Sequence, residues 1–361
     1  MQPLIAITQG DAAGIGPEII VKAWLTQPGI MQGCFVAGDV ATMRRAAHLY
    51  VASGAPCLPI AAIGNPQEAL TMPPRCLPVL QISGAPPLVP FGKVNAAAGA
   101  FAGDCIVWAA QAALRGEIQA LVTAPIHKEA LSAAGLPYSQ FPGHTEMLQS
   151  VAAKHLGLQT GQLPVRMMLA NDELRTVLVS VHLSLRNAID AISKEKIVET
   201  IQITHRSLQP LLQRSPRIAV AGLNPHAGEG GLFGREEIDV ITPAIQAACQ
   251  LGMDAYGPFA PDTVFMRARN TPKRASEFDV VIAMYHDQGL IPVKYMGVEK
   301  GVNFTLGLPL IRTSPDHGTA FDIAGTGTAD ASSLTEAICM AQKHVNHSSS
   351  DYLLRQMARK Q

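Results

Sequence analysis

The sequence predicts a two-domain α/β protein built on parallel sheets. Three observations carry that expectation. Short apolar β-forming runs alternate with helical segments, 31 glycines and 26 prolines punctuate the chain throughout, and 361 residues exceed what one hydrophobic core usually organises. Hydrophobic residues make up 48% and charged residues 16%, a balance that suits a compact fold with many short loops.

Leu4 to Thr8 is apolar and β-branched and reads as the first strand. The loop from Gln9 to Pro17 follows, and proline near a first helical turn starts a helix from Glu18. Cys34 to Ala37 reads as a strand, Ala41 to Val51 as a helix, and the alanine-rich stretch from Val94 to Arg115 as a long helix. Ala120 to Ala124 is a strand entering Pro125-Ile126-His127-Lys128. Next come a helix from Thr145 to Leu156, strands at Val165 to Leu169 and Arg175 to Val181, and an amphipathic helix from Ile192 to Leu212. Arg217 to Gly222 reads as a strand, Glu236 to Cys249 as a helix, and Val280 to Met284 as a buried strand. Gly301 to Gly307 and Leu310 to Thr313 are expected to be extended, and a helix from Ala331 to His344 closes the alternation. The proline-rich segment from Pro56 to Pro90 suggests loops around short strands, and Ser348 to Gln361 a polar joint leading to a terminal helix or frayed tail. There is no internal repeat.

The 28 basic residues balance the 28 acidic ones without a long basic run, which removes the electrostatic footprint of a nucleic-acid binder and favours a small-molecule partner. Cys34, Cys57, Cys76, Cys105, Cys249 and Cys339 are scattered with no Cys-x-x-Cys pair, so they read as reduced core thiols. The first residues lack a charged leader and a small-residue cleavage site, and no apolar run is read as approaching the roughly 20 residues that span a bilayer. A cytoplasmic protein without a membrane partner is the expectation.

Three histidines carry the chemical signal. His182, His226 and His286 each follow a run of apolar β-formers, and open α/β sheets bind ligands beyond the carboxyl ends of their strands. Any one of them alone reads equally as a hydrogen-bonded turn residue. Together they suggest one divalent-metal site with an open position, the mark of a catalytic rather than a structural centre. The Gly10 to Gly16 loop offers free amides to an anion, or simply a tight turn, and matches neither the dinucleotide nor the Walker fingerprint. His144 and Thr145 open a helix and suit either a phosphate or carboxylate grip or an ordinary cap. Lys294, Asn303 and Arg312 lie on segments read as extended and offer cations and an amide to an anionic substrate. Asp316 to Gly325 combines turn residues with hydrogen-bonding groups.

Gly10 to Pro17, Pro142 to Glu146, Val181 to Arg186, Gly222 to Glu237, Met284 to Gly289 and Gly301 to Gly325 together resemble the 4-hydroxythreonine-4-phosphate dehydrogenase family of pyridoxal phosphate synthesis. That resemblance spans nearly the whole chain. It implies the two-domain fold of isocitrate and isopropylmalate dehydrogenases, with parallel or mixed sheets and an interdomain cleft. A discontinuous cofactor-side domain (1–125 with 300–361) and a metal- and dimer-side domain (126–299) are expected. The resemblance further implies that His182, His226 and His286 bind one divalent ion (Zn, Mn, Mg or Co), and that His144, Thr145, Lys294, Asn303 and Arg312 contact the substrate. His317, Gly318, Asp322 and Gly325 would sit in the NAD or NADP loop, with Lys294 and Asp287 as candidates for proton transfer. A homodimer with its active site at the subunit interface is implied as well.

The implied chemistry is oxidation of a secondary alcohol followed by loss of carbon dioxide from the β-keto acid, with the metal as Lewis acid. Gln9 and Ala12 depart from the family's usual prolines, and Ser150 to Leu163 is longer than in the biosynthetic enzyme. Gly10 to Glu18, Val181 to Arg186 and Gly231 to Glu237 look especially like a paralogous branch acting on D-threonate or D-erythronate 4-phosphate. A more distant branch oxidises the cis-dihydrodiol of terephthalate. Outside the family, a metal-dependent hydrolase such as a phosphatase, or a non-catalytic metal or phosphate carrier, would use the same histidines without the Asp316 to Gly325 loop.

Overall fold

The computed structural model describes residues 3–52 and 54–347, so the expectation for 348–361 lies outside the described residues. Its strands are β1 (Ile5–Thr8), β2 (Cys34–Gly38), β3 (Ile60–Ile63), β4 (Leu77–Gln81), β5 (Ala120–Thr123), β6 (Arg166–Ala170), β7 (Arg175–Leu178), β8 (Ile218–Ala221), β9 (Ala255–Phe259), β10 (Val280–Ala283), β11 (Val302–Leu306) and β12 (Ile311–Pro315). The α-helices are α1 (Gly16–Thr26), α2 (Val40–Ala52), α3 (Ala96–Leu114), α4 (Lys128–Ala133), α5 (His144–His155), α6 (Leu185–Asp190), α7 (Lys194–Leu212), α8 (Thr242–Gln250), α9 (Val264–Ala268), α10 (His286–Tyr295) and α11 (Ser332–His347).

The chain divides into two compact units, 1–164 with 308–361 and 165–307. In unit 1 the strand order is β3-β4-β2-β1-β5-β12 with every pair parallel, and β1, β2 and β5 are buried along their whole length. The expected boundary at 125/126 instead falls at 164/165. The reason is packing: Gly99 of α3 comes so near α4 that a Cβ there would stand 2.1 Å from Ala130 O, and α5 also packs on α3. This ties 128–155 to the unit 1 sheet.

In unit 2 the order is β11-β6-β7-β10-β8-β9. β7, β10, β8 and β9 are parallel, whereas β6 pairs antiparallel with β7 and with β11. The sheet is therefore mixed. Asn171 explains the reversal: its Oδ1 accepts the Glu173 and Leu174 N–H groups at 2.9 and 2.8 Å, and the turn so formed is too short for a parallel crossover.

Several elements escaped the sequence reading. α4, α6 and α9 are five or six residues long, β9 carries Gly257-Pro258 at the sheet edge, and α10 was read as loop and extended chain. α3 corrects a second expectation, because its 19 residues are long and apolar enough to cross a membrane by length and composition. Asn95 caps that helix through Oδ1, and the helix packs on β1, β2 and β5. The cysteines are free, but only Cys34 and Cys105 are core thiols; Cys57 and Cys249 are exposed.

Candidate active site

β7, β10 and β8 are neighbours running the same way, so the segments leaving them share one edge of the unit 2 sheet. Those segments carry His182, His286 and His226. Cross-braces fix them: Ser180 Oγ donates to Met284 O at 2.9 Å, Gln288 Oε1 accepts Met284 N–H at 2.7 Å, and Gln288 Nε2 donates to Gly222 O at 2.8 Å. Glu237 is buried beneath the third segment. Its Oε1 accepts the Leu223 and Asn224 N–H groups, each at 2.7 Å, and its Oε2 accepts Asn224 Nδ2 at 3.0 Å.

Above this carboxylate the backbone runs left-handed from His226 to Gly230, with φ of 52°, 53°, 79°, 44° and 66°. Three of those residues are not glycine, and such conformations cost of order 1–3 kcal/mol each unless the surroundings impose them. A Cβ at Gly228 would stand 2.7 Å from Glu237 Oε2, so the turn must close on glycine there.

The rings of His182 and His286 face one another at 6.3 Å between centroids, and His286 Nδ1 lies 2.7 Å from Asp287 Oδ1. A carboxylate on one ring nitrogen orients the other as a donor, the usual support for a metal-binding imidazole. The His226 ring lies 6.2 Å from that of Phe233. Among the described residues no three histidine, cysteine, aspartate or glutamate side chains are grouped to hold a metal. The expected trio is therefore not grouped among the described residues of one chain, and His226 lines a groove with Tyr285, Asp287 and Ile291. The donors present suit a divalent ion, with the set incomplete in a single chain. Lys294 lies on α10, not on an extended segment, and Asn303 lies on β11 opposite Leu169.

Unit 1 presents a second cluster between Thr123, the last residue of β5, and Arg312, the second residue of the neighbouring β12. Arg312, only 3% exposed, donates through Nε and Nη2 to Thr123 Oγ1 at 3.1 and 2.7 Å. Burial pulls its pKa down to about 10, opposed by Glu146, so the guanidinium stays charged at neutral pH. His144 and Thr145 open α5. Burial holds the His144 pKa well below the usual histidine value, the Arg312 charge adds to this, the Ala124 carbonyl opposes it, and Lys128 contributes a little more. Its Nε2 is buried without a hydrogen-bond partner among the described residues. A buried arginine, an imidazole nitrogen without a partner among the described residues and the N-terminus of a twelve-residue helix are groups chemically suited to an anion.

The loop carrying His317, Gly318, Asp322 and Gly325 packs on the Gly10 to Gly16 turn. Ile15 N–H donates to Thr319 O at 3.0 Å, a Cβ at Gly14 would meet Thr319 Cβ at 2.8 Å, and Glu18 accepts the Gly325 N–H and, at 2.9 Å, the Gly327 N–H. His317 Nδ1 lies 3.0 Å from Gly318 O with Nε2 buried and unpartnered, while Asp322 is exposed. Gly325, at φ +86°, leaves room for the Phe91 ring, which Arg45 covers at 4.0 Å.

The histidines follow the carboxyl ends of parallel strands in unit 2, as Thr123 ends β5 in unit 1, which defines the class as an α/β enzyme for a small ligand. The family model described as "Pyridoxal phosphate biosynthetic protein PdxA" matches residues 31–341, and the chain belongs to that family. It is an oxidoreductase acting on a CH–OH group. The chain is 52% identical over 340 residues to a 4-hydroxythreonine-4-phosphate dehydrogenase of Beijerinckia indica, covering 94% of each chain. It is 45% identical to a D-threonate 4-phosphate dehydrogenase of Salmonella typhimurium, covering 94% of this chain and 98% of the other. The crystal structure of 4-hydroxythreonine-4-phosphate dehydrogenase from Klebsiella pneumoniae superposes with a TM-score of 0.83 at 40% identity, covering 95% of this chain and all of that one. A terephthalate 1,2-cis-dihydrodiol dehydrogenase from Burkholderia xenovorans is more distant, at TM-score 0.62 and 30% identity with 95% and 98% covered.

Thr123, Glu237, Gln288 and Glu18 shape these clusters and were not singled out by sequence. Each acts by accepting or orienting at a distance along the chain, so no local spacing announces it. Glu18, Glu237 and Gln288 lay inside segments already marked, Gly10 to Glu18, Gly222 to Glu237 and Met284 to Gly289, but without a role of their own.

Proposed function

We propose that this protein is a metal-assisted, NAD(P)-linked dehydrogenase that oxidises the secondary alcohol of 4-hydroxythreonine 4-phosphate or a closely related 4-phospho four-carbon hydroxy acid. The β-keto acid then loses carbon dioxide. The observation that carries this reading is the unit 1 grip, where Arg312 is buried on Thr123 and His144 Nε2 lacks a partner at the start of α5. Such a grip suits a terminal phosphate. A divalent ion on His182, His286 and a further imidazole supplies Lewis acidity for both steps. Asp287 orients His286, and Lys294 is the candidate for moving a proton at the alcohol oxygen. The Asp316 to Gly325 loop would hold the dinucleotide, which would supply the hydride acceptor.

The third ligand and the closure of the site come from a second copy of the chain in this reading. Met266, Ile291 and Tyr295 are 59%, 61% and 91% exposed along a groove of about 770 Å³ that also includes His226 and Asp287. An apolar strip of that kind beside metal-binding groups calls for a partner surface. Names of the relatives divide between 4-hydroxythreonine 4-phosphate and D-threonate 4-phosphate, so the test is a substrate panel. Protein with divalent metal and NAD or NADP is mixed with 4-hydroxythreonine 4-phosphate, D-threonate and D-erythronate 4-phosphates, or terephthalate dihydrodiol, and absorbance of the reduced cofactor is followed. Turnover of a phosphorylated acid, abolished by chelator, is expected. Turnover of the dihydrodiol alone, or activity indifferent to chelation, would sink the reading.

A further inference from the structure

The carboxyl edge of the unit 1 sheet holds a pair of groups that the reaction above leaves unused. β1 lies between β2 and β5, and the chain leaves it towards one side and later returns on the other, so β1 and β5 flank the point where strand order reverses. Asp11 follows β1 and His127 follows β5. The two turns are locked together: Asp11 N–H donates to Pro125 O at 2.9 Å, and Gly10 approaches the same carbonyl so closely that a Cβ would stand 2.5 Å away.

Asp11 is fully buried. Its Oδ1 accepts the Ala13 N–H at 2.8 Å, while Oδ2 has no hydrogen-bond partner among the described residues. Burial raises the Asp11 pKa, and the Ala13 N–H and the nearby His127 oppose that rise. The His127 ring is partly exposed and stacks on Phe321, with centroids 4.4 Å apart and planes at 22°. Its Nδ1 is the buried nitrogen, also unpartnered among the described residues, which leaves Nε2 on the side that solvent reaches. A ring fixed on one face by an aromatic, with a buried carboxylate nearby, presents its outer nitrogen in one orientation.

We propose that His127 contacts the bound dinucleotide, its outer Nε2 hydrogen-bonding a ribose hydroxyl, with Asp11 and Phe321 as positioning residues. Two placements favour the cofactor over the substrate. Phe321 belongs to the Asp316 to Gly325 loop, and the strand-order reversal is where parallel sheets receive nucleotides. The inference rests on the dehydrogenase reading.

The test is NADH binding by fluorescence titration without substrate, alongside Michaelis constants for both reactants. His127→Phe keeps the stack and removes both nitrogens, whereas His127→Gln keeps a donor near the Nε2 position. His127→Phe should weaken NADH binding about tenfold, the worth of one hydrogen bond, and leave the phospho-substrate KM within about twofold. His127→Gln should recover most of that loss, and the isosteric Asp11→Asn should weaken binding less than His127→Phe. Wild-type affinity in His127→Phe would overturn the proposal, and so would an equal rise in both constants, which marks a merely structural role. Wild-type protein that binds neither NADH nor NADPH would remove the dehydrogenase reading itself, so the two failures are distinguishable.

Discussion

Arg312 is the residue on which anion recognition turns. The guanidinium is buried to 3% exposure, where Nε and Nη2 donate to Thr123 Oγ1 at 3.1 and 2.7 Å, and its planar fork matches the geometry of a phosphate. Arg312→Lys keeps the charge and loses the planar fork, so the phospho-substrate KM should rise about tenfold to a hundredfold while the NAD constant stays within about twofold. Steady-state kinetics decide it; a larger change in the NAD constant would place the arginine on the cofactor. The sequence located this residue but gave no sign of its burial, because an arginine two residues after Leu310 reads the same on a surface strand as in a sheet interior. His144 was legible for the same role through its place at a helix start, and the structure adds that its ring is held neutral by burial and by Arg312.

At the scale of elements, the strand-then-segment context of the three histidines was readable, since apolar runs of four or five residues precede each one. Their convergence was not. A left-handed run of five residues has no periodicity to detect, and it carries His226. Glu237 supports that run, so Glu237→Gln, which at best keeps Oε1 on the two backbone donors and sets its own NH2 against the Asn224 amide donor, should destabilise the protein by about 1–3 kcal/mol and weaken divalent-ion affinity at least about tenfold. Urea unfolding and metal titration measure the two effects. Unchanged metal affinity with lowered stability would mean that the turn supports the fold and not the ion. Short helices such as α4 and α6 escaped because one and a half turns leave too few residues for a 3.6-residue pattern.

For the molecule as a whole, the acid limb of stability should run through Asp279. Burial works to raise its pKa, but hydrogen bonds from Arg214 and Arg217 outweigh burial and bring it from 3.8 down to about 2. A carboxyl whose pKa falls on folding stabilises the native state above its unfolded value, and that contribution disappears as pH drops from near 4 towards 2. Both arginines are 40–48% exposed, so screening reduces the effect to about 1–2 kcal/mol at neutral pH. Asp279→Asn should therefore lower the melting temperature at pH 7 and converge with wild type as the solution is acidified; a gap that stayed constant down to pH 3 would exclude this carboxyl.

The α/β class and most strands were apparent from alternation, the discontinuous first unit came only with the family resemblance, and the boundary at 164/165 depended on how closely one glycine of α3 lets α4 approach. Glu18 extends the same lesson to binding. One carboxylate in the opening turn of α1 suspends two amides, those of Gly325 and Gly327, from a part of the chain some three hundred residues downstream. The shape of that distant segment is thus settled when the polypeptide folds, so that if it receives the nucleotide proposed above, the receptacle is finished before the visitor arrives.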